Sequence, residues 1–414
     1  MRPCCYSLVL VCLVAAASTG EPAAAQNDRF TERSFVPSPS VRATGDAGVA
    51  LAGPDRPFFY NPAHLPRISS FFTILGVQAA ASQNLRDQVN FFNDRLQPAI
   101  EANFEMEPGA LQSLYRDAYE RGRRPVRGAG AVVLPSFVYS TRGIGVGGGL
   151  FAKTSLNYRL NDAGLGVPEV YLLSRTDLMA VLSLGFSLES VGVPGASVGG
   201  TVSRGRRFLS FKNKPLDALA PDETALLLRG STFQVDLGAL YTPPWWPFAG
   251  RLSVGGAAYD LLNHRYDYTY SGAPQIPFLD DLVTKPASVG SGAAAEEAGR
   301  ARRRFRLRPS YRVGVAYRLA SLSVLDDVAI AADYQGYGTG RQHPLARLHL
   351  GARAEVVDGM TLRAGLGAGY PTGGLGLQLG AVHLDYAVHA FEDGRAPGQV
   401  GTYVQTARLM LRIQ

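Results

Sequence analysis

Cysteine is almost missing from this chain. Cys4, Cys5 and Cys12 are the only three. All fall in a segment that reads as a secretory leader, so the mature chain is expected to hold no thiol for a disulfide framework or a thiolate metal site. Long apolar runs are missing too. The apolar stretch at 6–17 falls far short of the roughly 20 residues a membrane-spanning helix needs, and no later window comes near that length. A helical membrane protein is thereby excluded. Catalytic signatures are equally thin. Gly195-Ala196-Ser197-Val198-Gly199 fits the serine-hydrolase elbow, but that elbow needs a strand, a sharp turn and then a helix. Here a Gly/Val/Thr-rich strand pattern follows. Gly143-Ile144-Gly145-Val146-Gly147-Gly148 matches a dinucleotide fingerprint with no βαβ unit around it. His383, Asp385 and His389 share one strand face, yet the two histidines lie roughly 20 Å apart along a strand and cannot ligate one ion. His383 with Asp385 and His349 from another strand stays open as a ligand set. The expectation is no enzyme, no cofactor and no metal.

The leader reading rests on Arg2, the short apolar run and the small residues Ala23-Ala24-Ala25, with cleavage expected before Gln26. A cut after Ala17 is the weaker choice, and Val11 before Cys12 argues against a lipoprotein. The net charge is +7, with Arg302-Arg303-Arg304-Phe305-Arg306 the densest basic run. Behind a secretory leader this suggests a solvated loop near anionic lipopolysaccharide, and no nucleic-acid partner. Glycine (47) and tyrosine (19) are abundant, and mean hydropathy is neutral. An apolar outer face and a polar inner face cancel to such an average in a membrane barrel.

The strongest signal is period two, which puts alternate residues on opposite faces of a strand. Arg308, Ser310, Arg312, Gly314, Ala316 and Arg318 share one face, against Tyr311, Val313, Val315, Tyr317 and Leu319. Arg347, His349, Gly351, Arg353 and Glu355 oppose Leu348, Leu350, Ala352, Ala354 and Val356. Thr361, Arg363, Gly365 and Gly367 oppose Leu362, Ala364, Leu366 and Ala368, while His383, Asp385 and His389 oppose Leu384, Tyr386 and Val388. Gln234, Asp236 and Gly238 likewise oppose Phe233, Val235 and Leu237. Soluble sandwiches alternate as well. Tyrosines at the ends of the apolar face and full charges on the polar face favour lipid outside and a wet lumen inside.

Fourteen strands are expected, at roughly 71–81, 128–140, 144–158, 178–191, 195–203, 232–242, 248–260, 308–319, 326–335, 346–357, 360–370, 374–379, 381–390 and 402–413. Twelve would also close. The expected fold is a closed antiparallel transmembrane β-barrel over 69–414, preceded by a segment at 26–68. Long gaps at 82–127, 159–177, 204–231 and 261–307 alternate with short ones such as Thr141-Arg142-Gly143 and Asp358-Gly359. Pro371-Thr372-Gly373 is a short gap where a long one is due. Long loops outside the cell and short periplasmic turns would put both termini in the periplasm. Residues 83–97 and 108–121 read as amphipathic loop helices, and 291–304 as a small, charged loop.

The segment before the strands reads Gly45-Asp46-Ala47-Gly48-Val49-Ala50 and then Tyr60-Asn61-Pro62-Ala63. This resembles the opening of the FadL-like outer-membrane barrels, which share a Gly/Ala-rich "GxAGVA" run and an aromatic "YNPA" box. PorV-like and TraF-like barrels share that opening, and Gly369-Tyr370-Pro371-Thr372-Gly373 with His383-Leu384-Asp385-Tyr386 resembles those two groups. The match is specific over 41–66 and 346–400. The resemblance implies a plug folded into the barrel, with Gly45, Asp46, Gly48, Asn61, Pro62 and Ala63 as hatch residues. The same box could instead only fix the first turn into the first strand.

The inward arginines carry two readings. They form cross-strand ion pairs with Asp333, Glu355 and Asp385 that stiffen a wet wall. Alternatively Arg312, Arg347, Arg353 or Arg363 holds a substrate head group by bidentate hydrogen bonds. Phe91, Phe92, Leu111, Leu114 and Tyr115 are candidates for hydrophobic capture at the loops. The resemblance implies passive outer-membrane transport of hydrophobic or amphipathic molecules, long-chain fatty acids foremost. Its PorV-like branch implies an adaptor barrel that serves periplasmic or secretion-machinery proteins and carries no small molecule.

Overall fold

The computed structural model describes residues 36–51, 57–122, 124–162, 167–218, 227–263, 266–270, 299, 301, 309–322, 325–337, 343–392 and 396–414. The expected leader, the basic run at 302–306, Arg308 and most of the loop at 291–304 lie outside the described residues.

Alternation determines the architecture. On β9 (Ser310–Leu322), Tyr311, Val313 and Val315 are exposed while Arg312 and Ala316 are buried. On β14 (Val382–Glu392), Leu384 and Tyr386 are exposed while Asp385, Ala387 and His389 are buried. β6 (Leu228–Tyr241) exposes Phe233 and Leu237 and buries Gln234 and Asp236. All described strands belong to one sheet, so no second layer covers these apolar faces. They form an outward band suited to lipid, and the polar faces turn inward. Among the described residues no helix is long and apolar enough to cross a membrane.

The remaining strands are β1 (Phe71–Ser82), β2 (Val126–Ser140), β3 (Ile144–Asp162), β4 (Pro168–Ser187), β5 (Ala196–Pro215), β7 (Arg251–Tyr259), β8 (Thr269–Tyr270), β10 (Leu325–Tyr337), β11 (Leu348–Val357), β12 (Met360–Gly367), β13 (Tyr370–Leu379) and β15 (Gly401–Ile413). Each wall strand pairs antiparallel with its sequence neighbours, and β1 pairs with β15 to close the ring. The two-residue β8 pairs only with the start of β6 and lies outside the ring, which leaves fourteen wall strands. Closure satisfies every strand edge, as backbone in a lipid phase requires. Pro135 falls where the β2–β3 register shifts, a bulge where its missing N–H costs no ladder bond.

Two of the expected long gaps are wrong. β3 and β4 run on to Asp162 and from Pro168, so the gap at 159–177 shrinks to 163–167, and β5 with β6 reduces 204–231 to 216–227. β4 and β5 are 20 residues each, longer than the roughly 9–11 a tilted strand needs to cross lipid. Their extra length stands beyond the band, where Val170, Tyr171, Leu173 and Leu209 are buried by loops instead of exposed to lipid. Pro371, Thr372 and Gly373 lie within β13, with Pro371 opposite Leu366. The turn is Ala368-Gly369, both in the left-handed region. Arg347 sits in a 3-10 turn, Pro344–Arg347, ahead of β11 and off the wall face. The helix expected at 83–97 runs as Leu85–Phe91, a π-turn Phe92–Leu96 and Gln97–Glu101.

With the helix Pro108–Gly122, these helices pack over the loop end around Phe91, Leu96, Leu114, Ala118, Leu160 and Val170. The opposite end carries the short turns, the start of β1 and the end of β15.

Candidate functional site

Residues 36–51 and 57–68 lie inside the wall and run around its inner circumference. Ser38 meets Arg408 on β15. Ala43 and Gly45 meet Thr372 on β13, and Gly45 also meets His349 on β11. Gly48 meets Asp333 on β10 and Asp46 meets Arg312 on β9. Tyr60 meets Tyr259 on β7, Asn61 meets Ala239 on β6, and Ala63 meets Ser197 on β5. Leu65 ends the circuit against Gly145 on β3. The described segment thus forms an inner ring whose contacts follow the strands in reverse order, except at Phe58 and Phe59, which lie against β3 and β5 ahead of the Tyr60 contact with β7.

Small residues make this close contact feasible, because a wall glycine lets backbone approach backbone. A Cβ on Gly365 would lie 2.4 Å from Gly45 N, and one on Gly351 would lie 2.3 Å from Thr44 O. One on Gly238 would lie 2.1 Å from Asn61 Oδ1, and one on Gly199 would lie 2.5 Å from the Pro62 carbonyl carbon. The fit is reciprocal at Gly45 (φ +65°), where an added Cβ would meet Leu350 O at 2.3 Å.

Charge holds the first half of the ring. The Arg312 guanidinium donates to the Asp46 carboxylate at 2.9 Å, to the Asp46 carbonyl and to Gln335 Oε1. Asp333 accepts from the Gly48 and Val49 N–H groups at 2.7 and 2.9 Å, so a wall carboxylate caps the Gly48-Val49 backbone turn. Arg42 stands 3.6 Å from Asp46. Burial alone would raise the Asp46 carboxyl pKa. The positive charges of Arg42 and Arg312 outweigh burial and hold it well below the usual carboxylate range.

Amide and imidazole groups bind the two halves together. Asn61 is wholly buried. Its Nδ2 donates to Val49 O at 2.9 Å and to Ala239 O at 3.0 Å, while its Oδ1 accepts from Ala63 N at 3.1 Å. That last bond closes the Asx turn that Pro62 initiates. His64 Nε2 donates to the same Val49 carbonyl at 3.0 Å. Burial pushes the His64 pKa down to about 4, and Arg67 adds to that shift. Phe58 and Phe59 pack on Phe151 with ring centroids 5.6 and 5.0 Å away, in a core that includes Leu65, Val133 and Val181.

The circuit skips the sector of β1, β2 and β3 on its loop side, and a cavity of about 60 Å³ lies there. Arg42 and Pro37 of the ring line it together with Arg127, Lys153, Asn157, His389, Phe391 and Thr406 of the wall. Arg127 and Arg42 both approach the Phe391 ring, with Cζ 4.4 and 5.2 Å from its centroid. No Asp or Glu is among the lining residues. Two arginines against an aromatic ring, with Lys153 and the Ala129 and Ala131 surface also lining the cavity, suit an anionic group on an apolar body.

The expected site residues sort as follows. Gly45, Asp46, Gly48, Asn61, Pro62 and Ala63 all lie in the inner ring at the contacts given above. Arg312 is engaged with Asp46. Arg353 shares Asp327 with Arg318 at 3.0 and 2.6 Å. Arg363 shares Asp385 with Arg408 at 3.0 and 2.6 Å. Arg347 lies in the 3-10 turn directly ahead of β11. Phe91 and Leu114 are buried and Leu111 and Tyr115 partly so in the loop-end core, and Phe92 alone of the five is well exposed. Among the described residues no three potential ligands gather for a metal. His349 is bonded to Gly45 O at 2.7 Å, and Ser197 to Ala63 O at 2.8 Å. The elbow-like motif is therefore a wall contact for the ring. Sequence reasoning missed Arg42, Arg127 and Lys153. Alternation along β2 and β3 would have put the last two on the inner face.

Fold and site together define the class: a closed transmembrane β-barrel with an internal N-terminal ring. No family model and no curated protein matches the chain. Solved structures that resemble it include a Pseudomonas aeruginosa FadL homologue, at 13% identity over 91% of this chain and 98% of that one, with a TM-score of 0.43. The P. putida toluene transporter TodX aligns at 10% identity over 90% and 96%, with a TM-score of 0.43. The translocator domain of autotransporter NalP from Neisseria meningitidis aligns at 9% over 83% and 88%, with a TM-score of 0.40. Identities this low and TM-scores below 0.5 leave the closed strand register itself as the basis for the class.

Proposed function

We propose that this barrel lies in the outer membrane with its short turns in the periplasm, and passes hydrophobic or amphipathic molecules, long-chain fatty acids foremost, by passive diffusion. The segment at 26–68, whose described residues 36–51 and 57–68 form the inner ring, is the hatch. The observation that carries this reading is the cavity that the ring and wall enclose together. Its cations, Arg42, Arg127 and Lys153, are suited to a carboxylate, and Phe391 with the alanine surface to the start of an acyl chain. One of those cations, Arg42, also pairs with Asp46 of the hatch. A bound carboxylate would compete for Arg42 and weaken one of the charges that dock the ring. The acyl chain supplies binding energy by apolar burial, at about 25 cal/mol per Å².

Uptake of labelled oleate by cells that lack their own fatty-acid transporter tests this. The intact protein and a variant without residues 41–66 are compared, with heat-modifiable gel mobility to verify each barrel. Transport by the intact barrel, altered by the deletion, supports the proposal. No transport from an assembled barrel refutes it.

A second reading, an adaptor barrel for secretion machinery, is favoured by the polarity of the inner wall. Ser183, Thr201, Ser203, Gln234, Asp236 and Gln335 face inward and are buried, where a continuous greasy path would need apolar side chains. Recovery of defined periplasmic partners by a barrel that moves no oleate would select it.

A further inference from the structure

The chain contains two tryptophans, and both lie in the turn between β6 and β7. From Pro243 the turn reads Pro-Pro-Trp-Trp-Pro-Phe-Ala-Gly, without a charged residue. Trp245 is 66% exposed and Phe248 65% exposed. Such a surface is costly in water, since a large aromatic residue buries 150–250 Å² when it finds a partner. The turn does not fold beneath the lumen. Trp246 packs edge-on to Tyr317, centroid to centroid 6.4 Å, and Tyr317 belongs to the lipid-facing side of β9. Phe248 packs edge-on to Trp246, with centroids 5.3 Å apart, and the Tyr317 hydroxyl donates to the Ala249 carbonyl. Gly250 (φ +95°) makes the return, and a Cβ there would meet Arg318 O at 2.6 Å. Three prolines limit the alternatives open to the backbone. The Trp245 indole N–H donates to Tyr241 Oη at 3.3 Å, which holds the ring while leaving its face outward.

We infer that this turn is a membrane anchor that seats Trp245 and Phe248 at the headgroup–acyl boundary of the leaflet at the short-turn end. Its occupant is phospholipid. The patch continues the exposed apolar band of Val254, Val315 and Val313 without a polar break on that face. Amphipathic rings favour this depth because the apolar body meets acyl chain while the N–H stays near polar groups.

Because both tryptophans report on the turn, no label is needed. Trp246→Phe leaves Trp245 as the sole tryptophan, and Trp245→Phe is its complement. Each is folded into phosphatidylcholine vesicles carrying bromine at a shallow or a deep acyl position. Barrel orientation does not affect the result, since both leaflets carry the quencher. The anchor predicts blue-shifted emission from Trp245, loss of most of its intensity with shallow bromine, less loss with deep bromine, and protection from aqueous iodide. Red emission, iodide quenching and no bromine effect in a heat-modifiable barrel would overturn the inference and leave the patch to a protein partner. Phe248→Ser should weaken shallow quenching of Trp245 while the wall still assembles, and unchanged quenching would also overturn it.

Discussion

Replacing Arg312 with methionine isolates what docks the inner ring. Arg312 is buried and donates to the Asp46 carboxylate, the Asp46 carbonyl and Gln335, and it stands 3.8 Å from Asp333. Methionine fills similar volume but leaves two buried carboxylates with one remaining cation, Arg42 at 3.6 Å. Removing one partner of a buried pair costs about 3–5 kcal/mol. At about 1.4 kcal/mol per tenfold, the undocked population should rise roughly 10²–10³-fold or more. Asp46→Asn should cost less, about 1.5–3 kcal/mol, the range of a hydrogen bond to a charged group, because Arg312 keeps Asp333, Gln335 and the backbone carbonyl. The assay is trypsin cleavage after Arg42, which sits largely covered in the docked ring, with fragments weighed by mass spectrometry. Heat-modifiable mobility should not change, because the wall's ladder closes without the ring. The double variant should be less exposed than the two single effects combined. Cleavage after Arg42 at the wild-type rate in Arg312→Met would refute the claim that this pair holds the ring.

Acid should loosen the second half of the ring through His64. Its pKa of about 4 when docked lies below the ordinary 6.5, so the undocked form binds the proton more readily. The stabilisation is complete above pH 6.5, falls away as pH drops toward 4 and is lost below that, by about 3 kcal/mol in all. Proteolysis followed across that window should show the rise, and His64→Gln should flatten it. Gly238→Val should displace the Asn61 box, since even a Cβ would lie 2.1 Å from Asn61 Oδ1. Amide hydrogen exchange at 57–68 should increase while the wall stays protected. Arg127→Gln with Lys153→Gln should weaken binding of a spin-labelled fatty acid tenfold or more without exposing Arg42 to trypsin. Equal binding would remove the cavity from the pathway. Ser197→Ala should loosen the ring by about 1 kcal/mol in the same trypsin assay.

Period two carried most of the fold, because a one-residue slip would turn every wall side chain to the wrong face. It gave the strand number, the inward set of Arg312, Asp333, Asp385 and His349, and the outward set of Tyr311, Leu350 and Leu384. It failed where strands leave the lipid. Beyond the band β4 and β5 lose their simple polar-in, apolar-out order, because Tyr171, Leu173 and Leu209 are covered by loop residues such as Tyr266 and Tyr268. Pro371-Thr372-Gly373 read as a turn on composition, yet strand pairing overrode it. The resemblance singled out Gly45, Asp46, Gly48, Asn61, Pro62 and Ala63, which lie in the inner ring, but their wall partners were not legible. That Asp333 would cap Gly48, or that Arg408 would reach Ser38, depends on how the ring is set against the wall, and spacing along one chain does not encode that distance. Clean alternation on β9, β11 and β12 points to Arg312, Arg353 and Arg363, while the ring leaves its cavity beside β1 to β3.

The circuit made by residues 36–51 and 57–68 has a consequence for how the protein is built. The ring touches strands from β3 round to β15, while the hoop closes at the β1–β15 seam. A segment tethered directly to β1 cannot thread through a finished, loop-capped cylinder with its aromatic box already folded. It must be laid against the strands while that seam is open. The wall would then close round the inner ring during insertion, its glycines matched to the ring's turns, even though its own ladder does not depend on the ring. Grafting this segment onto a foreign barrel should therefore fail at assembly unless the matching glycines travel with it.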